Sequence, residues 1–149
     1  MSTLKEKIYE PGTRPAVIKD CVALVDSEVA AKKGLTGVVI RIGYKTFKAI
    51  RPSVVATAVD VLLDDFAGKL DQQYDDYLVI YPNKGQPFDQ WAASRDVQIA
   101  GELLTVTDTL IARSRRPAIK KVYAGLRRTA QKNVAQAVPA IARLVLKYT

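Results

Sequence analysis

Apolar side chains recur every three or four positions through nearly the whole of this chain. Nowhere do they fall into the strict alternation of a half-buried strand. The prolines and glycines lie between the periodic segments and not at the tips of two-residue hairpins. These two features leave helix packed on helix as the architecture. The expectation is a single all-α domain over residues 1–149, a compact bundle of seven or eight helices. Its 149 residues, 48% of them apolar, are enough to build a core without a metal or a disulfide.

Local signals divide the chain. Thr3 and Glu6 have the spacing of a capping box for a short first helix that Pro11-Gly12 ends. A second helix is expected from about Pro15 to Lys33, with Ile18, Val22, Val25 and Val29 as its apolar stripe and Gly34 at C′. A third covers about Thr36 to Ile50. Val39, Ile42, Gly43, Thr46, Phe47 and Ile50 share one arc of it, and Arg41, Lys45 and Lys48 gather on the opposite side. Pro52 opens a fourth, and "LDQQYDDYLVIY" follows as its continuation or as a separate helix. "PNKGQP" is the clearest loop. Phe88 and Asp89 resemble N′ and N-cap of one helix running to Arg113, whose wide apolar face suggests a central position. Two more helices are expected, from Pro117 and from about Thr129, with Pro139 as a kink or break.

A shift of 79 positions superimposes Ile40, Tyr44, Val55, Ala56, Ala58 and Val59 on Ile119, Tyr123, Val134, Ala135, Ala137 and Val138. That coincidence raises an internal pseudo-repeat over about 36–66 and 115–145, two related halves joined through "YPNKGQP". The competing explanation is chance agreement between two amphipathic helices.

The residue inventory narrows the chemistry. The chain has no histidine, one cysteine, and neither GxGxxG nor GxxxxGK[ST]. Histidine-based acid–base and nucleophilic systems, cysteine-rich metal sites and glycine-rich phosphate cradles are therefore absent from the sequence. No catalytic residue, metal ligand or cofactor is assigned. Cys21 sits beside the second helix's stripe and reads as a small buried thiol. Asp60, Asp64, Asp71 and Asp75 fall on one side of a helix if it continues through Gly68. Such a stripe is a solvated acidic face, a neutraliser of basic residues elsewhere, or an oxygen-ligand set for a hard cation.

Charge is the feature that asks for a partner. Net charge is +8, and beyond Asp108 there are ten basic side chains and no acidic one, whereas residues 1–108 carry thirteen basic and fifteen acidic. A polyanion site would use Arg113, Arg115, Arg116, Lys120, Lys121, Arg127, Arg128 and Lys132, with Arg41, Lys45 and Lys48 as a second patch. Arg14, Arg51 and Arg116 each precede a proline at an expected helix start, where free N–H groups favour an anion. No helix-turn-helix, zinc-finger, RRM or KH pattern accompanies these charges. Nothing resembles a secretory signal or a membrane-spanning run, so a cytoplasmic protein is expected.

The stretches "STLKEKIYEPGTRPAVI", "RPSVV", "LLTVTDTL" and "SRRPAIKK...QKNV" resemble a group of small bacterial proteins of unknown function and about this length. The resemblance covers nearly the whole chain and implies an all-helical fold. It carries over no catalytic or binding residue, because these motifs are helix starts and core patterns. Members of that group often have a proline where this chain has Asp64, which implies a fourth helix ending near Leu63. The functional expectation is a non-enzymatic interaction or structural module, acting on a protein partner or by self-association. The alternatives are nonspecific polyanion or nucleic-acid binding through the basic C-terminal helices, and binding to an anionic membrane surface.

Overall fold

The computed structural model describes residues 3–50 and 52–149, with side chains at all of these except Thr36, Phe47 and Val54. Arg51, one of the three pre-proline arginines, and the side chain of Phe47, a member of the third helix's apolar arc, lie outside what is described. Among the described residues there are seven helices and no strand. They are α1 (Leu4–Ile8), α2 (Thr13–Ala30), α3 (Gly34–Ile50), α4 (Val54–Ile80), α5 (Phe88–Ala93), α6 (Asp96–Ala112) and α7 (Pro117–Lys147). The chain divides into two compact units, Glu6–Asp64 and a larger one made of Asp65–Thr149 with the residues up to Lys5.

The larger unit owes its core to helical spacing on two long elements. Along α6, Ile99, Ala100, Leu103, Leu104 and Val106 are buried. Along α7, Ala135, Val138, Ala142 and Val145 recur at i, i+3, i+7 and i+10. The two helices pack on each other, and α5 packs on α7. Each fully buried valine, leucine or isoleucine contributes about 1.5–3 kcal/mol. An aromatic cluster fills one end. Tyr77, Phe88 and Trp91 are buried with ring centroids 5.2–5.9 Å apart, and Tyr74 meets Phe88 edge-on at 5.1 Å. The Tyr77 hydroxyl donates to the Gln86 carbonyl, which ties α4 to the loop before α5. Buried Gln73 donates to Glu102 on α6.

Three boundaries differ from the sequence reading in this unit. The expected helix from Asp89 to Arg113 is broken: Ser94 Oγ donates back to the Trp91 carbonyl at 2.6 Å, and Arg95 lies over the Trp91 ring at 5.0 Å. Thr105 and Thr107 make the same backward bond inside α6 without breaking it, so the serine bond accompanies the turn and does not alone cause it. The expected pair of C-terminal helices is one helix, α7, that passes through Pro139. Proline withholds the N–H that the Ala135 carbonyl would accept, but the buried residues on either side hold the helix together. The segments matched by the 79-residue shift thus have different local structure, helix–turn–helix in 36–66 and unbroken helix from 117 onward. Finally, α4 runs on through Asp64 and Gly68, so it does not end near Leu63.

The smaller unit is built by two tight turns and a close approach. Gly12 and Gly34 have φ of 79° and 76°, values that glycine adopts without penalty, and each stands where one helix hands over to the next. The second helix therefore runs from Thr13 to Ala30 rather than from Pro15 to Lys33. At Gly37 an added Cβ would lie 2.6 Å from the Lys32 carbonyl carbon, so the start of α3 sits directly on the end of α2. Ile8, Val17 and Leu63 are the large apolar side chains buried here among the described residues. That is a thin core for three helical segments.

Candidate functional site

Three of the four aspartates in the α4 stripe, Asp60, Asp64 and Asp71, are engaged. Arg14 donates from Nε to Asp60 and from Nη1 to Asp64, both at 2.9 Å, and the Tyr9 hydroxyl reaches Asp64 at 3.1 Å. Arg14 lies within the first turn of α2, so it is a clamp between α2 and α4 and not an open anion site. Asp71 accepts the backbone N–H groups of Leu4 and Lys5 at 2.8 and 3.3 Å, a carboxylate at the positive end of α1. The stripe that the sequence aligned therefore serves two local purposes. Among the described residues no three His, Cys, Asp or Glu side chains gather into a metal-binding group.

The eight C-terminal cations of the expected polyanion site divide into one that is held in an ion pair and seven that are not. Arg127 makes a two-pronged contact with Asp108, Nε to Oδ1 at 2.7 Å and Nη2 to Oδ2 at 3.0 Å. The Tyr123 hydroxyl donates to the same carboxylate at 2.6 Å, and Gln131 continues the contact toward the Val97 carbonyl at 3.4 Å. Tyr123, Arg127 and Gln131, four residues apart, are the side of α7 that faces α6. The guanidinium beside Asp108 holds its carboxyl below the usual carboxylate range. Arg113, Arg115, Arg116, Lys120, Lys121, Arg128 and Lys132 are exposed, and none makes an ion pair among the described residues. Lys121, Arg128 and Lys132 fall within ~40° of one another on the helix and span ~17 Å of its length.

The same part of α7 carries a second free face. Ile119, Val122 and Leu126 are 40%, 62% and 57% exposed and lie within ~60° of arc, centred ~130° around the helix from Lys121, Arg128 and Lys132. The helix from Pro117 to about Thr129 therefore has one side on α6, one apolar side in the open and one cationic side in the open. Sequence reading took only the cations from this region and did not single out the free apolar stripe.

The second expected basic patch is arranged in the opposite sense. Arg41 donates to the Lys32 carbonyl at the end of α2. Lys48 pairs with Asp26 at 3.0 Å, and the Tyr44 hydroxyl donates to the same oxygen at 2.5 Å. Of the three basic residues Lys45 is exposed. So α3 docks on α2 through its polar side. Its apolar side points outward, with Leu35, Val39, Ile42 and Ile50 exposed by 88%, 70%, 60% and 75%. Burial and the bond to Asp26 push the Tyr44 hydroxyl up to about 12. On α2, half-buried Cys21 has its thiol pushed up to about 11 by burial, which leaves little thiolate near neutrality.

Among the described residues no helix is long and apolar enough to cross a membrane. No curated protein and no solved structure matches the chain significantly. A family model, described as "Family of unknown function (DUF6918)", matches residues 4–149, and the chain belongs to that family.

Proposed function

We propose that this protein is a non-enzymatic interaction module that pairs with a second copy of itself through α3. The single observation that carries this reading is the inverted docking of α3, polar side in and apolar side out. A small unit that buries few large side chains, with its broadest apolar face in solvent, gains most by covering that face.

The pattern on α3 suits a helix as the cover. Leu35, Val39, Ile42, Thr46 and Ala49 follow a 4-3-4-3 spacing, the seam of two helices packed at a shallow angle. The seam carries no charge, so an oppositely charged partner face gains nothing from it. It is complementary to its own reverse. An antiparallel two-fold centred on Ile42 sets Leu35 against Ala49, large against small, brings Val39 within ~1.5 Å of the level of the mate's Thr46, and places Ile42 on its own mate. Lys45, the exposed charge beside the seam, then lies ~9 Å along the axis from its symmetry mate, outside direct repulsion. Light scattering should give twice the mass of one chain. Ile42→Asp should weaken pairing at least ~100-fold, since burying this residue contributes ~1–2 kcal/mol per copy before the cost of the buried charge. Unchanged helicity of the variant separates lost pairing from lost folding, because Ile42 is outside the α2 contact.

A second reading rests on a different observation, the seven exposed, unpaired cations at the start of α7. They support binding of a polyanion by phosphate contacts without base readout. Titration of duplex and single-stranded DNA should lose roughly 10³–10⁵ in affinity between ~50 and ~200 mM salt if most of these cations take part. Affinity that is flat with salt would contradict it.

A further inference from the structure

We propose that the anionic partner of the free α7 segment is a lipid surface, bound with the Pro117–Thr129 turns lying in the headgroup plane. This rests on the second reading above and adds the chemistry that tells a bilayer from a nucleic acid. A phosphate backbone offers charge to Lys121, Arg128 and Lys132 but nothing apolar to the neighbouring open sector of the same turns, ~130° around the helix. Ile119, Val122 and Leu126 stand there in the open, on a segment with no acidic side chain to oppose an anionic headgroup. An anionic bilayer meets both demands at once. It takes an apolar stripe into the acyl boundary and draws basic side chains to its surface potential.

The packing leaves room for this. Tyr123, Arg127 and Gln131 are committed to α6 and lie beside the apolar stripe, so the segment can lie on a surface without leaving its scaffold. The Arg127–Asp108 contact fixes which side of the helix is turned outward. Arg113, Arg115 and Arg116 precede the helix and add charge at one end. Lysine and arginine stems reach around a helix to keep their heads at the headgroup level while the apolar face is sunk.

The test uses the full chain with four probes: phosphatidylserine-containing vesicles, pure phosphatidylcholine vesicles, duplex DNA and single-stranded DNA. Two triple variants at exposed positions accompany it: Ile119→Ser with Val122→Ser and Leu126→Ser, and Lys121→Gln with Arg128→Gln and Lys132→Gln. The wild-type protein should bind the phosphatidylserine vesicles and not the neutral ones. The stripe variant should lose at least ~10-fold on vesicles and nothing on DNA. The charge variant should lose about fivefold per cation on vesicles. A stripe variant that binds vesicles as the wild type does would overturn the lipid inference. DNA binding without vesicle binding would also overturn it while the polyanion reading stands. Binding to neither probe at low salt would overturn both.

Discussion

Removing Asp108 should loosen the free segment of α7 without unfolding the core beneath it. The Asp108 carboxylate accepts Nε–H and Nη2–H of Arg127 at 2.7 and 3.0 Å and the Tyr123 hydroxyl at 2.6 Å. Its side chain is 39% exposed and that of Arg127 26%, so solvent screens the pair and an exposed-pair value of about 1 kcal/mol applies. The tyrosine bond adds about 1 kcal/mol. Asp108→Ala should therefore cost ~2 kcal/mol, which in a chain of this size lowers Tm by about 4–8 °C. The effect depends on pH in a defined direction. Because Arg127 holds the Asp108 carboxyl below its unfolded value, the contribution is full above that value and is lost as pH falls through the depressed one. The gap between wild type and variant should hold at neutral pH and narrow below about pH 4. Hydrogen exchange should speed up in α7 before Gln131 and stay unchanged in the turns that carry Val138, Ala142 and Val145, which are buried independently. A Tm shift below about 1 °C, or a gap that persists unchanged in acid, would refute the clamp.

Three further outcomes follow from local geometry. Gly37→Ala should destabilise the smaller unit by about 2 kcal/mol or more in chemical denaturation, because the new methyl meets the Lys32 carbonyl at 2.6 Å and backbone has to move. Cys21, with its thiol at about 11, should react with a disulfide reagent much more slowly in the native protein than after denaturation. Tyr44, pushed up to about 12, should ionise above the ordinary tyrosine range in an ultraviolet titration, and the stability it contributes, full below about pH 10, is lost as pH rises through the folded value. Asp26→Asn should bring that ionisation to lower pH by removing the carboxylate that accepts its proton.

The helical class was legible because spacing of apolar residues is a local property. The end of the first helix read well because Pro11-Gly12 forces it, whereas Gly34, expected at C′ of the second helix, instead opens α3, four residues after α2 ends at Ala30. Boundaries failed where contacts within the fold decided: the chain turns at Ser94 and Arg95 between α5 and α6, where Arg95 lies over the Trp91 ring, and burial around Pro139 kept α7 whole. The charge segregation was visible in the sequence, and seven of the eight cations named there for the C-terminal site are exposed. Its exception, Arg127, needed the third dimension, since Asp108 lies nineteen residues away. The orientation of α3 was the least legible feature. A pattern with an apolar arc opposite a basic arc implies that the apolar arc faces inward. Here Asp26, the Lys32 carbonyl and the absent side chain of Gly37 offer the basic side better partners than water does, and the arc is turned out. The family match to residues 4–149 supplies membership and brings no activity with it.

The most direct test of pairing through α3 is sedimentation equilibrium of the wild-type chain beside Ile42→Asp across a dilution series. A reversible dimer for the former and a folded monomer for the latter is the expected pair of results. A wild-type chain that stays monomeric at every concentration, with Leu35, Val39 and Ile42 open to solvent, would contradict it.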